Sequence, residues 1–81
     1  MKELAEFIIK SLVDNPKKVV ISQEEQDDQI ILKVSVDKND MGRVIGKGGK
    51  IIKSVRNLLF CAAAKKGKRV QIILNEQENQ P

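Results

Sequence analysis

With 81 residues the chain has material for one modest core and not for two. An apolar content of 41% is enough for it to fold unaided, and Cys61, alone of its kind, excludes an internal disulfide. The net charge of +4 conceals an asymmetry: residues 1–40 carry six lysines against nine acids, residues 41–75 carry nine basic residues and no acid, and residues 76–81 return two glutamates. A basic second half of that kind suits a polyanionic partner.

Leu4, Phe7, Ile8 and Leu12 follow the spacing of an amphipathic helix over about residues 2–13, which Asn15-Pro16 ends. Glu3 and Glu6 interrupt its apolar pattern where a signal-peptide core would be continuous, and no apolar run approaches the length of a membrane span, so a cytoplasmic protein is expected. Residues 19–26 and 29–36 read as two strands turning at Asp27-Asp28; in the second, Ile30, Leu32, Val34 and Val36 alternate with Ile31, Lys33 and Ser35. Asp37 can cap a short helix running through Val44, with Asp40 in its first turn. A second helix is predicted from about Lys50 to Lys66, stopped by Gly67, and a last strand over residues 69–75. Residues 76–81 should form a disordered tail. The fold class is therefore α+β in the order α-β-β-α-α-β, one domain over residues 1–75. Its second and third strands, joined through helices, should pair in parallel by a right-handed crossover that leaves the helices on one face of a three-stranded mixed sheet.

Between the last two helices lies VIGKGGKII, residues 44–52. Three glycines in four positions let the chain adopt left-handed conformations and let a ligand approach the backbone, and a helix start just beyond favours an anion. Two phosphate motifs fail here on spacing. Walker A needs Ser or Thr after the Gly-Lys pair, and Gly49-Lys50 is followed by Ile51; the dinucleotide fingerprint needs a small residue at that same position and a preceding strand. With no histidine and one cysteine, neither a zinc site nor a nucleophile–base pair can be assembled, so no enzyme, metal or cofactor is expected. Phe7 and Phe60 are the only aromatics, too few for a base-stacking sheet.

Gly46-Lys47-Gly48-Gly49 is a GxxG loop between two helices, flanked by Ile45 and Ile52. In this context, and with this element order, the chain resembles the KH domain in its type II, bacterial topology over nearly its whole length, and the small stand-alone bacterial KH proteins of the KhpA type in particular. The resemblance implies a binder of single-stranded RNA, or less readily DNA, that clamps about four nucleotides and serves as a general RNA chaperone or post-transcriptional regulator. It places Gly46, Lys47, Gly48, Gly49 and Lys50 against the phosphates, Arg43 and Lys53 a turn to either side, and Val44, Ile45 and Ile52, with Val34 or Val36, along an apolar groove. The second variable loop position is Gly48 rather than a polar residue, which implies weaker and less selective binding. A different class of function is a protein-interaction subunit in which RNA contact is incidental.

On the second long helix, Leu58, Ile51, Ala62, Val55, Leu59, Ile52 and Ala63 fall within an arc of roughly 140°, the expected core face. Phe60 lies roughly 130° from its centre, between Arg56 and Lys53. With Ala64 one turn on, it is the expected anchor of a dimer interface. Proteins of the resembled type imply a homodimer, or a heterodimer with a larger KH-containing, Jag-like partner.

Overall fold

Every second residue of the QIILKVSV segment is aliphatic, and a computed structural model, which describes residues 1–77, buries that set, Ile30, Leu32, Val34 and Val36, almost completely. They belong to the middle strand of a three-stranded sheet. In chain order the elements are α1 (Lys2–Leu12), β1 (Val20–Gln26), β2 (Gln29–Asp37), α2 (Met41–Ile45), α3 (Lys50–Ala64) and β3 (Arg69–Gln77), with 3-10 turns at Pro16–Lys18, Lys38–Asp40 and Lys47–Gly49. β1 pairs with β2 antiparallel, from Val20 opposite Ser35 to Gln26 opposite Gln29, and β2 pairs with β3 in parallel, from Gln29 beside Arg69 to Asp37 beside Gln77. The sheet order β1-β2-β3 leaves β3 at an edge. Ala5 and Ile9 of α1, Val44 of α2, and Ile52, Val55 and Leu59 of α3 meet the same sheet face in one core. This is the type II KH fold.

Several details depart from the periodicity. β3 runs on through Glu76 to Gln77, beside Val36 and Asp37, because β2 is long enough to pair two residues more than the apolar pattern marks; the remainder of the expected tail, 78–81, lies outside the described residues. On α1 the buried residues are Ala5 and Ile9, while Phe7 is 72% exposed and Leu4 is also exposed. The face of α1 that meets the sheet is therefore the one carrying Ala5 and Ile9, and the larger Leu4 and Phe7 lie toward solvent. On α3 the buried set is Ile52, Val55, Leu59 and Ala63, a narrower stripe than the expected arc, and Leu58 is 58% exposed.

The segment between β2 and α2 is not one helix. Asp37 caps the 3-10 turn Lys38–Asp40, its Oδ1 accepting from the Asn39 N–H at 3.1 Å and its Oδ2 from Asn15 Nδ2 at 3.0 Å. The backbone N–H of Asn39 and then the Asn15 amide hold the Asp37 carboxyl below the ordinary aspartate range. Asp40 is buried: its two oxygens accept from the N–H groups of Asp14, at 3.1 Å, and Asn15, at 3.0 Å, so it ties the chain leaving α1 to the start of α2.

Gly46 sets the angle between α2 and α3. Its φ of 76° and ψ of 171° lie in a region open essentially to glycine alone, and an added Cβ would sit 2.5 Å from Ile51 Cγ1. Gly48 and Gly49 also have positive φ, 65° and 75°, yet a Cβ on either would meet nothing within 4 Å. At the far end of α3, Gly67 takes a left-handed φ of 69°, and the Ala63 carbonyl accepts from both the Lys66 and Lys68 N–H groups. The glycines of the loop should therefore differ in mutational cost. Gly46→Ala, combining a forbidden backbone conformation with a clash against the Ile51 side chain, should lower unfolding free energy in urea by at least about 2 kcal/mol, whereas Gly48→Asn, in a left-handed site that Asn tolerates, should cost under about 1 kcal/mol.

Candidate nucleic-acid interface

The GxxG segment is a single tight turn between two helices. α2 closes with the Gly46 N–H donating to the Gly42 carbonyl at 2.9 Å; the Gly49 N–H then donates to Gly46 O at 3.1 Å, and the Lys50 N–H to Lys47 O. No side chain among the described residues caps the N-terminus of α3. The amides of the helix's first turn beyond Lys50 and the positive end of its dipole thus lie directly behind a stretch of bare glycine backbone. Because Gly48 and Gly49 face open space, an anion can reach that backbone without meeting a side chain.

Cations lead away from the loop along one flank. Lys47, Lys50, Lys53 and Arg56 recur every third residue, are exposed, and make no ion pair among the described residues. Arg43 differs, since its Nη2 lies 2.8 Å from Asp14 Oδ2 and its Nε 3.5 Å from Asp40 Oδ1. Lys68 is likewise engaged, 2.8 Å from Glu25 Oε2, and its hydrogen bond and charge hold the Glu25 carboxyl below the ordinary glutamate range. Two cations of the basic half are thereby offset by carboxylates, while the row beside the loop, like Lys65, Lys66 and Arg69, makes no ion pair among the described residues.

That row ends at a cleft. Arg56, Asn57 and Phe60 of α3 face Val70, Gln71 and Ile72 of the edge strand β3 across an opening of about 400 Å3, a size usual for ligand clefts. At about 100° per residue, Lys53, Arg56, Asn57 and Phe60 share one flank of α3, so the cleft continues the path that starts at the glycines. Phe60, 55% exposed, is one wall of this cleft, and Ala64 is exposed one turn on.

Most of the residues expected along the apolar groove belong to the core. Val44 is completely buried, Ile52, Val34 and Val36 are buried with it, and all four are core residues held under the sheet-facing side of the helices. Ile45 is the exception, 36% exposed beside the loop. Arg56, Asn57, Val70 and Ile72 went unrecognised because the two walls of the cleft are separated by the rest of α3 and the turn after it. One sequence signal was available, the third-residue continuation of Lys47, Lys50 and Lys53 to Arg56. Asp27 and Asp28 border Arg69 at the start of β3, so the acidic turn stands next to the cleft strand.

Comparison with known proteins identifies the family. The family model of the KhpA/KhpB KH domain matches residues 2–74. The protein named RNA-binding protein KhpA in Listeria monocytogenes is 46% identical over 76 residues, covering 94% of this chain and 100% of its own length. Its namesake in Clostridium perfringens is 46% identical over 72 residues, covering 89% of this chain and 96% of its own. Among solved structures, Aquifex aeolicus Era bound to GDP.AlF4- superposes with a TM-score of 0.68 at 16% identity over 96% of this chain, which corresponds to 31% of that protein and shows the shared fold alone. Fold, loop and a family match over nearly the whole length agree: the chain belongs to the KH domains of the KhpA/KhpB family.

Proposed function

We propose that this protein binds single-stranded RNA in the cytoplasm as a general RNA chaperone or post-transcriptional regulator, the Gly46–Gly49 turn clamping the sugar–phosphate backbone and the cleft between α3 and β3 receiving bases. The observation that carries the reading is the uncapped start of α3 behind bare glycine backbone, with unpaired cations running from there to the cleft. The relatives named RNA-binding proteins support it. No helix among the described residues is long and apolar enough to cross a membrane. Changing Lys47 and Gly48 together to Asp puts two negative charges where phosphate should sit and touches no core residue. RNA affinity should collapse, by tenfold or more at roughly two phosphate contacts' worth of electrostatics, with little change in melting temperature. Undiminished binding by the folded double variant would sink the clamp.

Arg43 gives a second handle. Its exposed partner Asp14 competes with phosphate for the same guanidinium, while buried Asp40 serves the fold. Asp14→Asn should therefore strengthen RNA binding at low salt and steepen the fall of log K with log salt by up to about 0.7, the contribution of one added contact on a single strand. An unchanged slope in anisotropy titrations would remove Arg43 from the interface.

A second reading is favoured by Phe60, a large ring left largely open on a charged flank. With Ala64 it offers an anchor for a homodimer or for a larger Jag-like KH protein, in which case the subunit scaffolds and RNA contact is secondary. The two readings use the same ring, so they separate cleanly. Phe60→Asp should convert an associating protein to a folded monomer in sedimentation if the ring anchors a dimer; wild type that sediments as a monomer at hundreds of micromolar leaves the ring to the RNA cleft.

A further inference from the structure

The two edges of the sheet are guarded differently. β1 carries Glu24 and Glu25, whereas β3 has neither a charge nor a proline from Val70 to Asn75. Edge strands usually carry such features, because an open row of backbone groups is a template for another chain. The strand register says which groups form the row. In a parallel pair each residue turns both its N–H and its C=O to the same side, and successive residues alternate. The Arg69 N–H donates to the Asp28 carbonyl at 2.8 Å, and Arg69 is in register with Gln29, so Arg69, Gln71 and Ile73 bond inward to β2. Val70, Ile72 and Leu74 must then turn their N–H and C=O groups outward, and no strand lies beyond them among the described residues.

We propose that this edge takes an extended, acidic peptide segment of a partner protein as a fourth strand of the sheet. Capture of this kind does not depend on nucleic-acid binding. Main-chain hydrogen bonds along the edge supply affinity, and alternate side chains of the added strand enter the space under α3 and supply selectivity. α3 and β3 are joined by the short turn at 65–68 and run in opposite directions, so those side chains meet first Phe60, then Arg56, then Lys53. The spacing fits. Phe60 and Arg56 are four helical residues apart, a rise of about 6 Å, and alternate strand residues are about 6.6 Å apart. An apolar side chain beside Phe60 and Val70, followed two and four positions on by carboxylates at Arg56 and Lys53, is the pattern the edge selects. Neither cation makes an ion pair among the described residues, so the carboxylates displace nothing. Val70, Ile72 and Leu74, partly buried against the core, lose further exposure under the new strand. A second copy of β3 offers no carboxylate between Val70 and Asn75, which favours a different protein as the source of the strand.

The test titrates the full chain, isotope-labelled for NMR, with the acetylated peptide threonine-valine-threonine-glutamate-threonine-glutamate-threonine and with its reversed sequence, which serve the parallel and antiparallel orientations. One of the two should bind at submillimolar concentration. At saturation it should slow hydrogen exchange of the Ile72 and Leu74 amides by about tenfold or more and change Gln71 and Ile73 by less than about twofold. Full N-methylation of that peptide keeps its charges and removes its backbone donors, and should weaken binding by about tenfold or more. Arg56→Glu should weaken the acidic peptide to a similar extent and favour a version with lysine in place of both glutamates over its binding to wild type. Equal binding by the N-methylated peptide reduces the contact to charge attraction and overturns strand addition. Failure of both peptides to bind at millimolar concentration, or slowed exchange along β1 instead of β3, overturns it as well. A uridine octamer that slows the Ile72 and Leu74 amides when neither peptide does assigns the edge to nucleic acid, which overturns this inference and leaves RNA binding intact.

Discussion

The parallel pairing of β2 with β3 is the constraint from which the rest of the molecule follows. Antiparallel neighbours such as β1 and β2 need only the two residues Asp27 and Asp28 between them, but parallel neighbours require the chain to travel back the full length of the sheet before pairing again. Residues 38–68 make that return, and they cover the face on which Ile30, Leu32, Val34 and Val36 need burying. A return path built as two helices must break once, and the break is the glycine turn. Because β3 is added at the outside of the sheet, the long helix of the return lies above an edge and not above a middle strand. The turn and the cleft are therefore two products of one connection, which is why a single flank of α3 joins them.

Electrostatics sorts the basic residues into two kinds. Arg43 and Lys68 are met by carboxylates distant in sequence, Asp14 and Glu25 respectively, Arg43 also by Asp40 three residues before it, and contribute to holding elements together. Lys47, Lys50, Lys53 and Arg56 have no such neighbour among the described residues, and on a small domain an uncompensated row raises the local concentration of counter-ions and of any polyanion. Buried Asp40 is bound to two backbone amides and is a structural ligand for the chain after α1, a role distinct from the dipole effect its position in the first helical turn suggests.

Local signals in the sequence were sufficient for the order of elements and for the GxxG turn, since glycine spacing, strand alternation and the stop at Gly67 depend on near neighbours alone. Helix rotation was harder. An amphipathic pattern weights large side chains, whereas α1 docks through Ala5 and Ile9 and leaves Phe7 open to water. The same preference for neighbours in sequence put the groove beside the loop at Val44 and Ile52, which the core had already claimed. The walls of the cleft, Arg56 and Val70 among them, are brought together by the crossover, and no window of sequence short enough to show a periodicity contains that fact.

The free edge of β3 has a topological consequence. With no strand outside it among the described residues, the cleft is a trough open on its long side, and its two walls are already joined at one end, where the Lys68 N–H meets the Ala63 carbonyl and the Arg69 N–H meets Asp28. A polymer seated there is laid in sideways and need not be threaded. It requires no free terminus, can be engaged in the middle of a long chain, and can leave by lifting out, so residence is governed by the grip of a few local contacts and not by the length of the molecule held.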